Sequence, residues 1–116
     1  MGYRNSVVTI DSHLSELVFD ALGHCTRRDI LALLQGGPRA VGEIARELPV
    51  SRPAVSKHLR TLSEAGLVAS SSSGNRNVFR LDDSGFEAAR GYLDEFWTVA
   101  LDNFQRLVAA KKTKRG

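Results

Sequence analysis

Pro49 and Gly66 bracket the stretch that most restricts how this chain can fold. The residue before a proline resists helical geometry, so a helix arriving from upstream must end by Leu48. Ser51 can then cap a new helix, its hydroxyl accepting an otherwise unpaired N–H. Pro53 is tolerated in the first turn, where its missing N–H lies among the unpaired ones. Gly66 supplies the left-handed residue that closes the helix. Inside this frame Val55, Leu59 and Leu62 recur at helical spacing and ask for a core. Ser56, Lys57 and Arg60 point elsewhere, and no acid falls between Ser51 and Ser63. A short helix that buries one side and presents donors and positive charge on the other suits the DNA major groove.

The preceding segment completes a motif. Val41, Ile44, Ala45 and Leu48 form the inner stripe of a short helix over about 41–48. Two helices separated by about three residues make a helix-turn-helix. Upstream, Leu14, Leu17, Val18 and Leu22 predict a first helix, capped by Asp11 or Ser12 and ended by Gly23. Thr26 opens a second, with Ile30, Leu31, Leu33 and Leu34 apolar, and Gly36-Gly37-Pro38 ends it. Residues 1–12 read as a flexible N-terminal segment.

After Gly66 the period changes. Val68 to Ser73 and Asn77 to Leu81 read as short strands, with Gly74-Asn75 as the turn. The four serines at 70–73 also fit a low-complexity linker. The flanking Val78, Phe79 and Leu81 favour the hairpin, a wing over about 68–81. Asp82, Asp83 or Ser84 caps a last helix over about 84–108, followed by a basic tail at 111–116. Phe86, Ala89, Leu93, Phe96, Trp97, Ala100, Leu101, Phe104, Leu107 and Val108 share one broad stripe on that helix. The stripe either packs on the first helix within one chain or meets a second copy. Its extent favours a dimer interface built from Leu14, Leu17, Leu93, Phe96, Trp97, Ala100, Leu101, Phe104 and Leu107. The expected fold is mainly α with a small β-hairpin wing. It is a winged helix-turn-helix over 13–110, with a recognition helix at about 52–65, dimerising through its first and last helices.

Charge placement points to an anionic partner. The net charge is +3, but residues 51–80 hold five basic residues against Glu64 alone, a net +4. The remainder is net −1. No window approaches the ~18 consecutive apolar residues of a membrane span. A secretion signal is not apparent, and one cysteine cannot form an internal disulfide, which fits a reducing cytoplasm. Residues 1–6 match a loose myristoylation pattern, but nothing else in the chain points to a membrane.

Four runs carry a family likeness: Thr26-Arg27-Arg28-Asp29-Ile30-Leu31, Val41-Gly42-Glu43-Ile44-Ala45, Pro53 to Arg60, and Glu64-Ala65-Gly66-Leu67-Val68. Together they resemble the ArsR family of bacterial winged-helix transcriptional repressors, over roughly residues 13–108. Phe96-Trp97 followed by Leu101 looks like a subgroup without the usual metal sites. The resemblance implies a homodimer that binds a palindromic operator in double-stranded DNA and releases it on a signal. The family's arsenic and cadmium sensors carry thiolates at positions matched here by Ala40 and Gly42, which cannot bind metal. Its zinc and nickel sensors use histidines and carboxylates on the last helix, which here has no histidine. One cysteine and three scattered histidines supply neither a thiolate cluster nor a zinc set, so no metal and no cofactor are expected.

Ser51, Arg52, Pro53, Ser56, Lys57 and Arg60 are the candidate DNA contacts on the recognition helix. Arginine takes guanine bidentately, while serine and lysine serve phosphates or base edges. Arg76, flanked by Asn75 and Asn77 at the hairpin tip, is the wing candidate for a narrow minor groove. Arg27 and Arg28 open a helix against its dipole, which calls for a phosphate, an acid or a structural salt bridge. His58 either packs or touches a phosphate. Cys25, before the second helix, is either an inert, partly buried thiol or the sensor of a redox-responsive repressor. No phosphate loop, nucleophile elbow or paired-carboxylate motif marks an enzyme. The alternative outside DNA binding is a protein-interaction module on the same scaffold. Nothing in the chain identifies an effector.

Overall fold

The computed structural model describes the backbone of residues 10–115 and the side chains of residues 13–111. The myristoylation pattern and most of the expected flexible segment lie outside the described residues. The elements run α1 (Ile10–Leu22), α2 (Cys25–Leu34), β1 (Arg39–Ala40), α3 (Val41–Glu47), α4 (Arg52–Glu64), β2 (Val68–Ser73), β3 (Arg76–Leu81) and α5 (Asp83–Arg115). A single apolar cluster binds them. Val18 and Ala21 of α1, Ile30, Leu31 and Leu34 of α2, and Ile44 of α3 meet Val55, Leu59 and Leu62 of α4. Leu67, Val68 and Ala89 close the cluster from the wing and α5. Each large aliphatic side chain so buried stabilises the fold by about 1.5–3 kcal/mol before entropy is counted.

Local chemistry corrects several boundaries. α1 starts at Ile10, so Asp11 and Ser12 lie inside the helix rather than capping it. The cap of α2 is His24, whose Nδ1 accepts the Thr26 N–H at 3.2 Å, and Thr26 sits in the first turn. Among the described residues Arg27 and Arg28 form no ion pair, and backbone carbonyls take their donors instead. Arg27 Nε donates to Ala21 O at 2.7 Å and Arg28 Nη1 to Leu22 O at 2.6 Å. The tight turn at Gly23 brings the start of α2 beside the end of α1. The two guanidinium groups therefore satisfy the unpaired carbonyls at the negative end of α1's dipole.

The wing is a hairpin, not a linker, and it belongs to a three-stranded sheet. β2 pairs antiparallel with β3 from Val68↔Leu81 to Ser73↔Arg76, and Gly74 turns the chain at φ 65°. β1 adds on the far side of β3, pairing Arg39 with Phe79 and Ala40 with Val78. The expected hairpin alone is thus one strand short. Two residues leave no periodic trace in a sequence.

Gly66 and Gly85 weld the recognition segment to the last helix. Gly66 has φ 71°, and Gly85 N donates to Gly66 O at 2.7 Å. A Cβ on Gly85 would lie 2.8 Å from the Gly66 carbonyl, so backbone meets backbone. Asp82 caps α5, its Oδ1 accepting from Ser84 N at 3.1 Å. α5 has 33 residues, about 50 Å of helix, and runs on through the segment expected as a basic tail. Ala109, Ala110 and the lysines beyond are strong helix formers, so the helix outlasts its apolar stripe. α1 packs along only part of this length, and the molecule measures 71 × 29 × 21 Å.

Candidate nucleic-acid interface

Helix α4 separates its two kinds of residue as its spacing predicts. Val55, Leu59 and Leu62 are at most 1% exposed, resting on the cluster with Ile44 beneath. Ser51, Arg52, Pro53, Ser56, Lys57 and Arg60 are all exposed. Ser51 caps the helix, its Oγ accepting from Ala54 N at 3.2 Å. Among the described residues, none of Arg52, Lys57 and Arg60 is in an ion pair. Three uncompensated cations on one exposed face leave their donors available to an anion.

Arg76 is placed differently. It opens β3, and its Nη2 donates to Glu43 Oε1 of α3 at 2.9 Å. The same oxygen accepts the Ala40 N–H at 2.7 Å, closing the first turn of α3. That N–H holds the Glu43 carboxyl below its ordinary range against some desolvation, aided by Arg76, Arg46 and Arg39. The start of α3, the start of α4 and the wing enclose a shallow groove of ≈ 640 Å³. Gly42, Glu43, Arg46, Arg52, Ser56 and Arg76 border it. The fold therefore brings Arg52, Ser56 and Arg76 together, while Lys57 and Arg60 lie outside the groove. Glu43 and Arg46 are absent from the sequence-derived candidates. Glu43 carries a faint signal, an acid three residues after a helix cap. Its pairing with a residue 33 positions away carries none.

His58 packs rather than standing free. Its ring lies 4.6 Å from that of His24, and Arg27 Nη1 is 3.4 Å from its Nδ1. Burial pushes this imidazole below its ordinary range, with His24, Arg27 and Lys57 adding to the effect. Cys25 is exposed rather than partly buried, and it is the first residue of α2 rather than lying before it, because His24 takes the cap. Among the described residues, no three of His, Cys, Asp and Glu converge as metal ligands. No described helix is long and apolar enough to cross a membrane.

The last helix presents the opposite surface. Leu14 and Ala100 are half-buried, Leu17, Leu93 and Leu101 are exposed, and Phe96, Trp97, Phe104 and Leu107 are 55–66% exposed. Phe19 and Tyr92, in edge contact at 5.5 Å, extend this surface without having been legible as part of it.

This arrangement is shared with known proteins. A helix-turn-helix domain model matches residues 22–71. An HTH-type transcriptional regulator of Mycobacterium tuberculosis, Rv2034, is 51% identical over 90 residues, covering 78% of this chain and 84% of its own. The solved ArsR-like transcriptional regulator from Rhodococcus sp. RHA1 superposes with a TM-score of 0.72 at 31% identity. That match covers 86% of this chain and 92% of the other. The chain belongs to the ArsR family of winged helix-turn-helix transcriptional regulators. A further structural relative of this ArsR-family chain is the homodimeric winged helix-turn-helix DNA-binding domain Mb0332 of Mycobacterium bovis, a possible ArsR-family regulator. Its TM-score is 0.59 at 31% identity, over 80% of this chain and 82% of that one. Within the ArsR fold, α3 and α4 are the helix-turn-helix and β2–β3 is the wing.

Proposed function

We propose that this ArsR-family regulator is a cytoplasmic homodimer that occupies a palindromic operator and represses its own or a neighbouring operon by blocking the promoter. The observation that carries this reading is the outer face of α4. Ser51, Arg52, Pro53, Ser56, Lys57 and Arg60 stand exposed on a helix whose other face is locked into the core. Two such helices, about 34 Å apart, enter successive major grooves, and the wings lie over the flanks. The spacing requires a dimer, and the uncovered stripe of α5, with Leu14 and Leu17 of α1, is the surface to form it. The homodimeric DNA-binding relative supports both parts.

Fluorescence anisotropy with duplexes from the gene's own upstream region tests the reading. A palindromic duplex is expected to bind at least ~10³-fold tighter than a scrambled one. Affinity should also fall steeply as salt rises, through counterion release. Equal affinity for palindrome and scramble at moderate salt would overturn specific recognition. Partner binding indifferent to salt would favour a protein-interaction module instead.

A further inference from the structure

An acid on a DNA-facing surface repels the polyanion it faces. Glu43 is such an acid, bordering the groove alongside Arg46, Arg52 and Arg76. Its geometry shows a different task. Oε1 is held by the Ala40 N–H at 2.7 Å, so the carboxylate is fixed to the start of α3. Arg76 Nη2 reaches that same oxygen at 2.9 Å from the wing. The guanidinium therefore lies against α3, on the side of the recognition helix, rather than extending freely from the hairpin tip. Arg76 remains 58% exposed and Glu43 40%. A guanidinium has five N–H donors, and Glu43 takes one of them.

We propose that Glu43 is a positioning residue that sets Arg76 as a clamp on the DNA backbone, with Arg46 and Arg52 completing a phosphate track across the groove. The proposal rests on the DNA-binding reading above and changes what Arg76 does within it. A tethered arginine meets phosphate at the groove edge instead of probing the minor groove. Its rotamer entropy is spent before DNA arrives, so less is lost on binding. Arginine and phosphate then pair through two parallel N–H donors. An exposed ion pair adds little to folding, so its consequence falls on orientation. Arg46 becomes a backbone contact outside the recognition helix.

The test compares wild type, Glu43→Gln, Arg76→Ala, the double variant and Arg46→Ala on palindromic and scrambled duplexes over a salt series. Thermal melts run alongside. Glutamine keeps an acceptor for the Ala40 N–H and removes the charge that holds Arg76. Arg76→Ala and Arg46→Ala should each weaken binding about 3- to 10-fold, alike on both duplexes, and lower the salt slope by about 0.9. Glu43→Gln should also weaken binding and lower the slope toward that of Arg76→Ala, although it deletes a negative charge. The double variant should be no weaker than Arg76→Ala. Tighter binding by Glu43→Gln with unchanged slope overturns the assignment, as does full additivity in the double variant. A change of base preference in Arg76→Ala restores the minor-groove role and overturns it too. A wild type that binds no duplex at any salt overturns the DNA reading itself, and the assignment with it.

Discussion

Helices α4 and α5 are both two-faced, and Gly66 and Gly85 join them at 2.7 Å, yet they leave opposite faces to solvent. α4 has 13 residues, and its apolar side is covered from α1, α2, α3 and β2. What remains outside is polar and basic, a face that water solvates without penalty. α5 has 33 residues, and α1 covers only part of it. What remains outside includes Phe96, Trp97, Phe104 and Leu107, each more than half exposed. Such a face costs about 25 cal/mol per Å² of apolar surface left in water. The difference separates two kinds of incompleteness. The α4 face is stable as it stands and leaves its cations open to an anion. The α5 face gains stability only from another apolar surface, so its completion depends on concentration.

The contrast is most exposed to failure at the α4 core. Leu59→Ala should lower the unfolding free energy by about 2–5 kcal/mol, read from urea denaturation. A loss below about 1 kcal/mol would mean that the inner face of α4 is not locked into the apolar cluster. Next in size, Phe104→Ala should weaken self-association by about 2 kcal/mol, roughly 30-fold, in sedimentation equilibrium. A wild type that sediments as a monomer at micromolar concentrations would break the α5 half of the comparison.

Arg60→Ala probes the outer face of α4. It should cost about 1–3 kcal/mol of operator binding and relax base preference, with the unfolding midpoint nearly unmoved. Equal losses in binding and stability would place Arg60 in the fold instead. The smallest effect concerns pH. Burial holds the folded-state pKa of His58 below 6.5, the value it regains on unfolding. Below pH 6.5 the unfolded chain thus binds more protons, and stability is lost as pH falls through that window. Melting from about pH 7.5 down to about pH 5 should show a shallower decline for His58→Gln than for wild type. Parallel curves would show that His58 contributes nothing to the slope.

The legible and illegible parts of the molecule divide along the same line as the physics. Pro49, Ser51, Pro53 and Gly66 act through their own backbone geometry, so the bounds of α4 could be read in order. The apolar Val78, Phe79 and Leu81 and the turn at Gly74 did the same for the wing. β1 could not be read, because two residues have no period and take their conformation from pairing with Phe79 and Val78. α5 runs past residue 108 because its helix persists on Ala and Lys after the apolar stripe ends. The dipole argument gives Arg27 and Arg28 a phosphate, an acid or a salt bridge as partner, and the structure gives them other partners. Those partners are backbone carbonyls of α1, which carry no sequence signature.

The sequence by itself determined which residues of α4 face inward and outward, where that helix starts and stops, and that the last helix carries more apolar surface than one domain needs. These are properties of single residues and of spacing along one helix. Only the tertiary structure decided that Arg76 is tethered to Glu43 and that Arg46 and Arg52 border one groove with it. It also placed His58 against His24 and Arg27. Those contacts join segments far apart in the chain, and their geometry exists only once the core has set α3, α4 and the wing side by side.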